Sequence, residues 1–139
     1  MNRLTFRRMA GAYDLDTSYE LDLAVPVIDG VPLHERMAER FYGIDVELVA
    51  PPSSHLLGAP SYVEDGLPVI LDGGCLVAGC CGVMVRVTIN ERTVVWSNFF
   101  ARGQPDIPAD LKFTYDRNEY ERALSSVSTL EPEPFPDDD

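Results

Sequence analysis

The sequence predicts a small α+β protein of one domain: a largely antiparallel sheet of four to five strands with two helices packed on one face. Three observations lead there. Apolar residues alternate with period two over residues 19–27, 83–89 and 94–100, the spacing of strands that turn one face to a core. Helical spacing is confined to two stretches, one around Leu33 to Phe41 and one around Tyr120 to Val127. The chain has 139 residues, 45% apolar and 24% charged, enough for one core without disulfide staples.

In chain order, Leu4 to Met9 reads as a short strand and "GAYDLD" as the turn after it. A second strand follows, with Tyr19, Leu21, Leu23, Val25 and Val27 on the core side and Glu20 and Asp22 opposite. Pro26 cannot donate to a ladder, which predicts a sheet edge or a strand end there, and Asp29-Gly30 supplies the next turn. A first amphipathic helix is expected from Leu33, Met37 and Phe41, with Pro32 in its first turn, Gly43 at its exit, and Glu35, Arg36, Glu39 and Arg40 on the wet side. The proline-broken stretch after it reads as loop with a brief strand at Asp45 to Val49, and "VILDG" as another strand of the sheet.

The centre of the predicted fold is a hairpin. Val83, Val85, Val87 and Ile89 face one way, Val94, Trp96 and Phe100 do the same on the return, and "NER" turns between them. The last element is a helix entered through Asp116 and Glu119, a capping-box variant, with Tyr120, Leu124 and Val127 on one side. The domain is expected to span residues 1–130. Residues 131–139, "EPEPFPDDD", are acidic and proline-spaced, a composition that stays disordered or docks loosely because it has little apolar area to bury.

Formal net charge is −12, and the five acids of the last nine residues account for part of it, leaving −7 for the body. An acidic surface disfavours nucleic acid and anionic membranes, which are bound by placing cations on phosphates. A basic or neutral protein is the partner this balance predicts. The N-terminal residues lack a continuous apolar stretch of the signal-peptide kind, and the apolar run Gly73 to Val85 is too short to span a bilayer. Cys75, Cys80 and Cys81 are an odd set with one adjacent pair, which fits a reducing, cytoplasmic compartment.

All three cysteines lie in "LDGGCLVAGCCGVMVRV". Zinc requires four ligands in a tetrahedron, and Cys75, Cys80 and Cys81 with His55 make up that number, although the pattern has no second cysteine pair and neighbours on a strand diverge. A nucleophilic thiol would need a base, a cation or a helix N-terminus to lower its pKa; His55 and Arg86 are the nearest suppliers in sequence. The reading these residues favour is simpler: Gly73, Gly74, Ala78, Gly79 and Gly82 let the backbone turn tightly, and cysteine serves as a small buried apolar residue.

The run "GGCLVAGCCGVMVRVTINERTVVWSNFF" with "FTYDRNEYERAL" resembles a group of uncharacterised small bacterial proteins in which a glycine- and cysteine-rich loop leads into a "VRV" strand, a "VVWSDF"-like strand and a "F.FDR.QY..AL" helix. The resemblance spans Asp72 to Leu124. In that group the loop reads Cys-x-Cys-Gly-x-x-Gly-Cys, which would imply a metal site; this chain departs from it at Cys75-Leu76-Val77, where the second cysteine is missing. No activity comes with the resemblance.

Other constellations read as structural. His34 beside Glu35 is expected to be a solvated pair on a helix, and Ser53, Ser54 and His55 sit where turn chemistry explains the serines. No phosphate-binding lysine follows the glycines, and Glu64-Asp65 and the acids at 106 and 110 lack calcium-loop spacing. Arg86 is expected on the exposed face of the hairpin, and Trp96 in the core. The sequence therefore predicts a cytoplasmic, non-enzymatic interaction module of the inhibitor or immunity-like kind, with a zinc protein and a thiol enzyme as alternatives.

Overall fold

A computed structural model describes residues 1–12, 20–36, 43–64, 66–72, 82–101, 107–108 and 110–134. Within these the protein is α+β and its strands pair antiparallel, but they form two sheets rather than one. In the first, β1 (Leu4–Ala12) pairs with β2 (Glu20–Ile28) along its whole length, from Leu4 opposite Ile28 to Ala12 opposite Glu20. β1 thus runs through Gly11 and Ala12, where a turn was expected; residues 13–19 lie outside the described chain. Two short strands take the other side of β2: β3 (Val31–Pro32) beside Val27 and Ile28, and β4 (Ile44–Asp45) beside Leu23 and Ala24.

Pro26 is therefore not at a sheet edge. It sits in an inner strand, opposite Phe6 of β1, at the place on the other side where the ladder is interrupted between β3 and β4. A residue with no N–H is accommodated where a partner strand stops. The turn after β2 is as expected: Asp29 (φ 54°) and Gly30 (φ 83°) both have positive φ, the conformation of a two-residue hairpin loop whose twist matches the strands. Leu23, Val25 and Val27 are buried as expected, but from residue 23 onward β2 is buried on both faces instead of having one wet face. Ala24 and Ile28 join the main core, while Leu23, Val25 and Val27 are buried on the opposite face.

The segment after β3 begins with a 3₁₀ turn at Leu33–Arg36, with Leu33 fully buried. The remainder of the expected first helix, including Met37 and Phe41, lies outside the described residues. Gly43 packs so closely on β2 that a Cβ there would run into the carbonyl of Ala24. The strand predicted at Asp45 to Val49 is instead one helical turn, α1 (Val46–Val49), because the Asp45 side chain accepts the amide of Glu47 at 3.2 Å and caps the turn.

The second sheet runs in the order β5 (Val63–Glu64), β6 (Leu67–Asp72), β7 (Gly82–Ile89), β8 (Thr93–Ala101), β9 (Phe113–Asp116). The predicted hairpin is β7–β8. Val83 and Val85 are buried, Arg86 and Thr88 are exposed, and Trp96 is wholly enclosed. Phe100 departs from the prediction, being 46% exposed. The pairing of Met84 with Phe100 and of Arg86 with Ser97 leaves one extra residue on β8, and Asn98 (φ 54°) occupies that stretch. A bulge of one residue exchanges the faces beyond it, so Ala101 points inward and Phe100 outward.

Among the described residues the two sheets share one apolar core and are linked at their edges as well. Asn2, just before β1, forms a parallel bridge to Tyr115 of β9, and β4 lies against β6. α2 (Arg117–Ser126) starts where Asp116 accepts the Glu119 amide at 3.0 Å and buries Tyr120 and Leu124 against the core, touching β1, β8 and β9. Among the described residues no helix is long and apolar enough to cross a membrane.

Candidate functional site

Cys75, Cys80 and Cys81 fall outside the described residues, so the cysteine segment is placed only by its ends. Asp72 closes β6 and Gly82 opens β7, and the two are direct partners across the ladder. The segment is thus the connection between neighbouring antiparallel strands.

His55, the fourth proposed zinc ligand, is 1% exposed. Its Nδ1 accepts the backbone N–H groups of Ser61 (3.1 Å) and Tyr62 (3.3 Å), which requires the proton on Nε2, and Nε2 donates to the Val69 carbonyl at 2.8 Å. Both ring nitrogens are thereby committed to backbone. Burial holds its pKa below the ordinary histidine value, with the Val69 bond pulling partly the other way. Ser53 shapes the approach as turn chemistry predicts: its hydroxyl donates to the Leu48 carbonyl and accepts the His55 amide. This arrangement pins the loop between α1 and β5 onto β6. His34 is half-buried in the 3₁₀ turn rather than solvated, and its pKa is likewise lowered, chiefly by burial.

An aromatic cluster joins the same loop to the second sheet. Trp96 meets Tyr115 and Tyr120 edge-on, at centroid distances of 5.1 and 6.1 Å, and the two tyrosine rings stack at 5.5 Å. Trp96 Nε1 donates to the Tyr120 hydroxyl (3.2 Å), which donates to the Leu56 carbonyl (2.6 Å). Tyr115 differs: its hydroxyl is buried and has no partner among the described residues. Burial pushes both phenols well above their usual pKa, so both stay neutral.

The feature that the sequence reading missed is a groove of about 420 Å³ between β1 and α2, within the range of ligand clefts. Arg3, Leu4, Thr5 and Phe6 form one wall, and Glu119, Arg122, Ala123 and Ser126 the other. It exists because the chain leaves the edge of β1 after β9 and rejoins it beyond α2. At the first junction Asn2 donates its amide to the Thr114 carbonyl; at the second Glu133 donates to the Arg8 carbonyl and accepts from the Ala10 amide. Glu133 also forms a two-pronged ion pair with Arg7, Nε and Nη2 each 3.0 Å from a carboxylate oxygen. The tail segment expected to begin at Glu131 is thus held to β1 as far as Glu133, while residues 135–139 lie outside the described chain.

The signal for this groove was available as Arg3 at the entry to β1, followed by Arg7 and Arg8 within the strand, in an acidic chain. Without the long-range pairing, nothing brings Arg122 to the same groove as Arg3. Among the described residues no carboxylate forms an ion pair with Arg3 or Arg122, and no three His, Cys, Asp or Glu side chains gather as a metal site. Comparison with known proteins yields no match to a family model, a curated protein or a solved structure.

Proposed function

We propose that this protein is a non-enzymatic interaction module of the inhibitor or immunity-like kind that works in the cytoplasm and binds a basic or neutral protein. The observation carrying this reading is the net charge of −12, displayed at the surface by exposed acids such as Glu35, Glu47, Glu91, Asp110, Glu119 and Glu131. A potential of one sign accelerates and selects encounters with a partner of the other sign and is screened by salt. The test is affinity capture with the full chain at low and at high salt. A basic protein recovered at low salt and lost at high salt is the expected result; recovery of nothing basic, or binding indifferent to salt, overturns it.

The zinc alternative rests on Cys75, Cys80 and Cys81, since His55 would have to give up backbone partners to join them. Metal analysis of protein purified without added zinc tests it: stoichiometric metal abolished by Cys75→Ser supports a zinc site, and metal-free protein with titratable thiols rejects it. The thiol-enzyme alternative predicts one cysteine that alkylates far faster than the others near neutral pH.

A further inference from the structure

We propose that the groove between β1 and α2 binds an extended segment of a partner protein, added as a parallel strand to the free edge of β1, with an acidic residue of that segment paired to Arg3. This goes beyond the basic-partner reading, because it assigns a cationic strip and a local binding mode that the overall charge does not imply.

The edge is open by count of backbone groups. Asn2 donates outward to Thr114, the Arg8 carbonyl and Ala10 amide turn outward to Glu133, and the Arg3 carbonyl turns inward to the Asp29 amide. Successive residues of a strand present their N–H and C=O to alternate sides, so Leu4 and Phe6 present theirs outward as well. No strand of the described chain pairs with β1 there, between the bridges at Asn2 and Met9. The groove lies along this stretch.

The chain itself displays the binding mode one repeat further on. Glu133, in parallel bridge with Met9, exchanges two backbone bonds with Arg8 and Ala10 and forks its carboxylate onto Arg7, two residues before its partner. Shift that pattern by four residues and a partner residue opposite Thr5 would donate to the Leu4 carbonyl and accept the Phe6 amide. Arg3 then stands where Arg7 stands for Glu133. Arg3 carries no ion pair among the described residues, and Arg122 adds a second such cation from the helix wall, against the single acid Glu119. Strand addition takes its affinity from main-chain bonds and its specificity from side chains; here the specificity is for a carboxylate, flanked by small residues beside Ala123 and Ser126.

The experiment titrates isotope-labelled full-length protein with two pools of capped pentapeptides, one with Glu and one with Lys at the centre and mixed residues elsewhere. The expected result is that the Leu4 and Phe6 amides shift with the Glu pool only, and that Arg3→Glu and Arg122→Glu each weaken this by about tenfold or more. Unchanged amide signals of β7 and β8 in the variants show that they remain folded. Equal response to both pools, no shift at Leu4 and Phe6, or shifts explained by self-association of the chain overturns the proposal. Because the readout is at β1 with defined peptides, its failure leaves the salt-sensitive capture of a basic protein standing, and the reverse also holds.

Discussion

Tyr115 and Tyr120 are stacked neighbours with opposite hydrogen-bonding states, and a single oxygen atom is worth different amounts in each. The Tyr120 hydroxyl serves Trp96 and Leu56 at once. Removing it leaves a buried donor and a buried acceptor unpaired, and Tyr120→Phe is expected to cost about 1–3 kcal/mol in chemical denaturation. The Tyr115 hydroxyl is buried without a partner among the described residues, so Tyr115→Phe is expected to be neutral or stabilising in the same measurement. Asn98 offers a second contrast. Its φ of 54° lies in the left-handed region that Asn tolerates and β-branched residues avoid. Asn98→Gly is expected to hold or raise the denaturation midpoint, and Asn98→Val to lower stability by about 1–3 kcal/mol. The alternation of β8 was legible as far as Trp96. Phe100 was not, because a bulge is a relation between two strands and one strand's pattern does not contain it.

At the level of elements, the β7–β8 hairpin and α2 were legible because each is built from local rules. A short turn brings two apolar stripes together, and an Asp three residues before a Glu caps the helix that follows. The strand expected at Asp45 to Val49 shows where local rules compete: valines favour extension, yet Asp45 caps a helical turn among the same residues. The C-terminal segment is the opposite case. Its composition speaks for disorder, but the edge of β1 offers Glu133 two backbone bonds and the Arg7 fork. Each carboxylate–guanidinium contact holds Glu133 below and Arg7 above its ordinary pKa. Glu133→Ala is expected to speed hydrogen exchange at the Ala10 amide while the β7–β8 amides keep their protection, as local opening of an edge requires. Unchanged exchange at Ala10 would show that the backbone bonds hold the segment without the ion pair.

Across the whole molecule, the two histidines link the fold to pH with the same sign. His34 and His55 both have pKa values lowered from 6.5, chiefly by burial. The folded state therefore binds fewer protons than the unfolded chain, and this stabilisation is complete above pH 6.5 and lost as pH falls through the folded-state values. Denaturation midpoints are expected to decline on acidification from neutral pH, before most carboxylates titrate. Imidazole resonances should titrate below 6.5 in the native protein. A histidine titrating above that value, with a midpoint flat over the same range, would contradict the placement of His55 between Val69 and the Ser61–Tyr62 amides.

Legible in the order of amino acids alone are the α+β class, the central hairpin with its buried Trp96, the Asp29-Gly30 turn, the capped C-terminal helix and the acidic balance of charge. These depend on periodicity, turn chemistry and charge, which act over a few residues. The division of the strands into two sheets, the place of Pro26 inside one of them, the commitment of His55 to backbone partners, and the meeting of Arg3 and Arg122 at one groove were settled in three dimensions. Those outcomes come from pairing between residues far apart in the chain, and no local pattern carries the free energy that selects among such pairings.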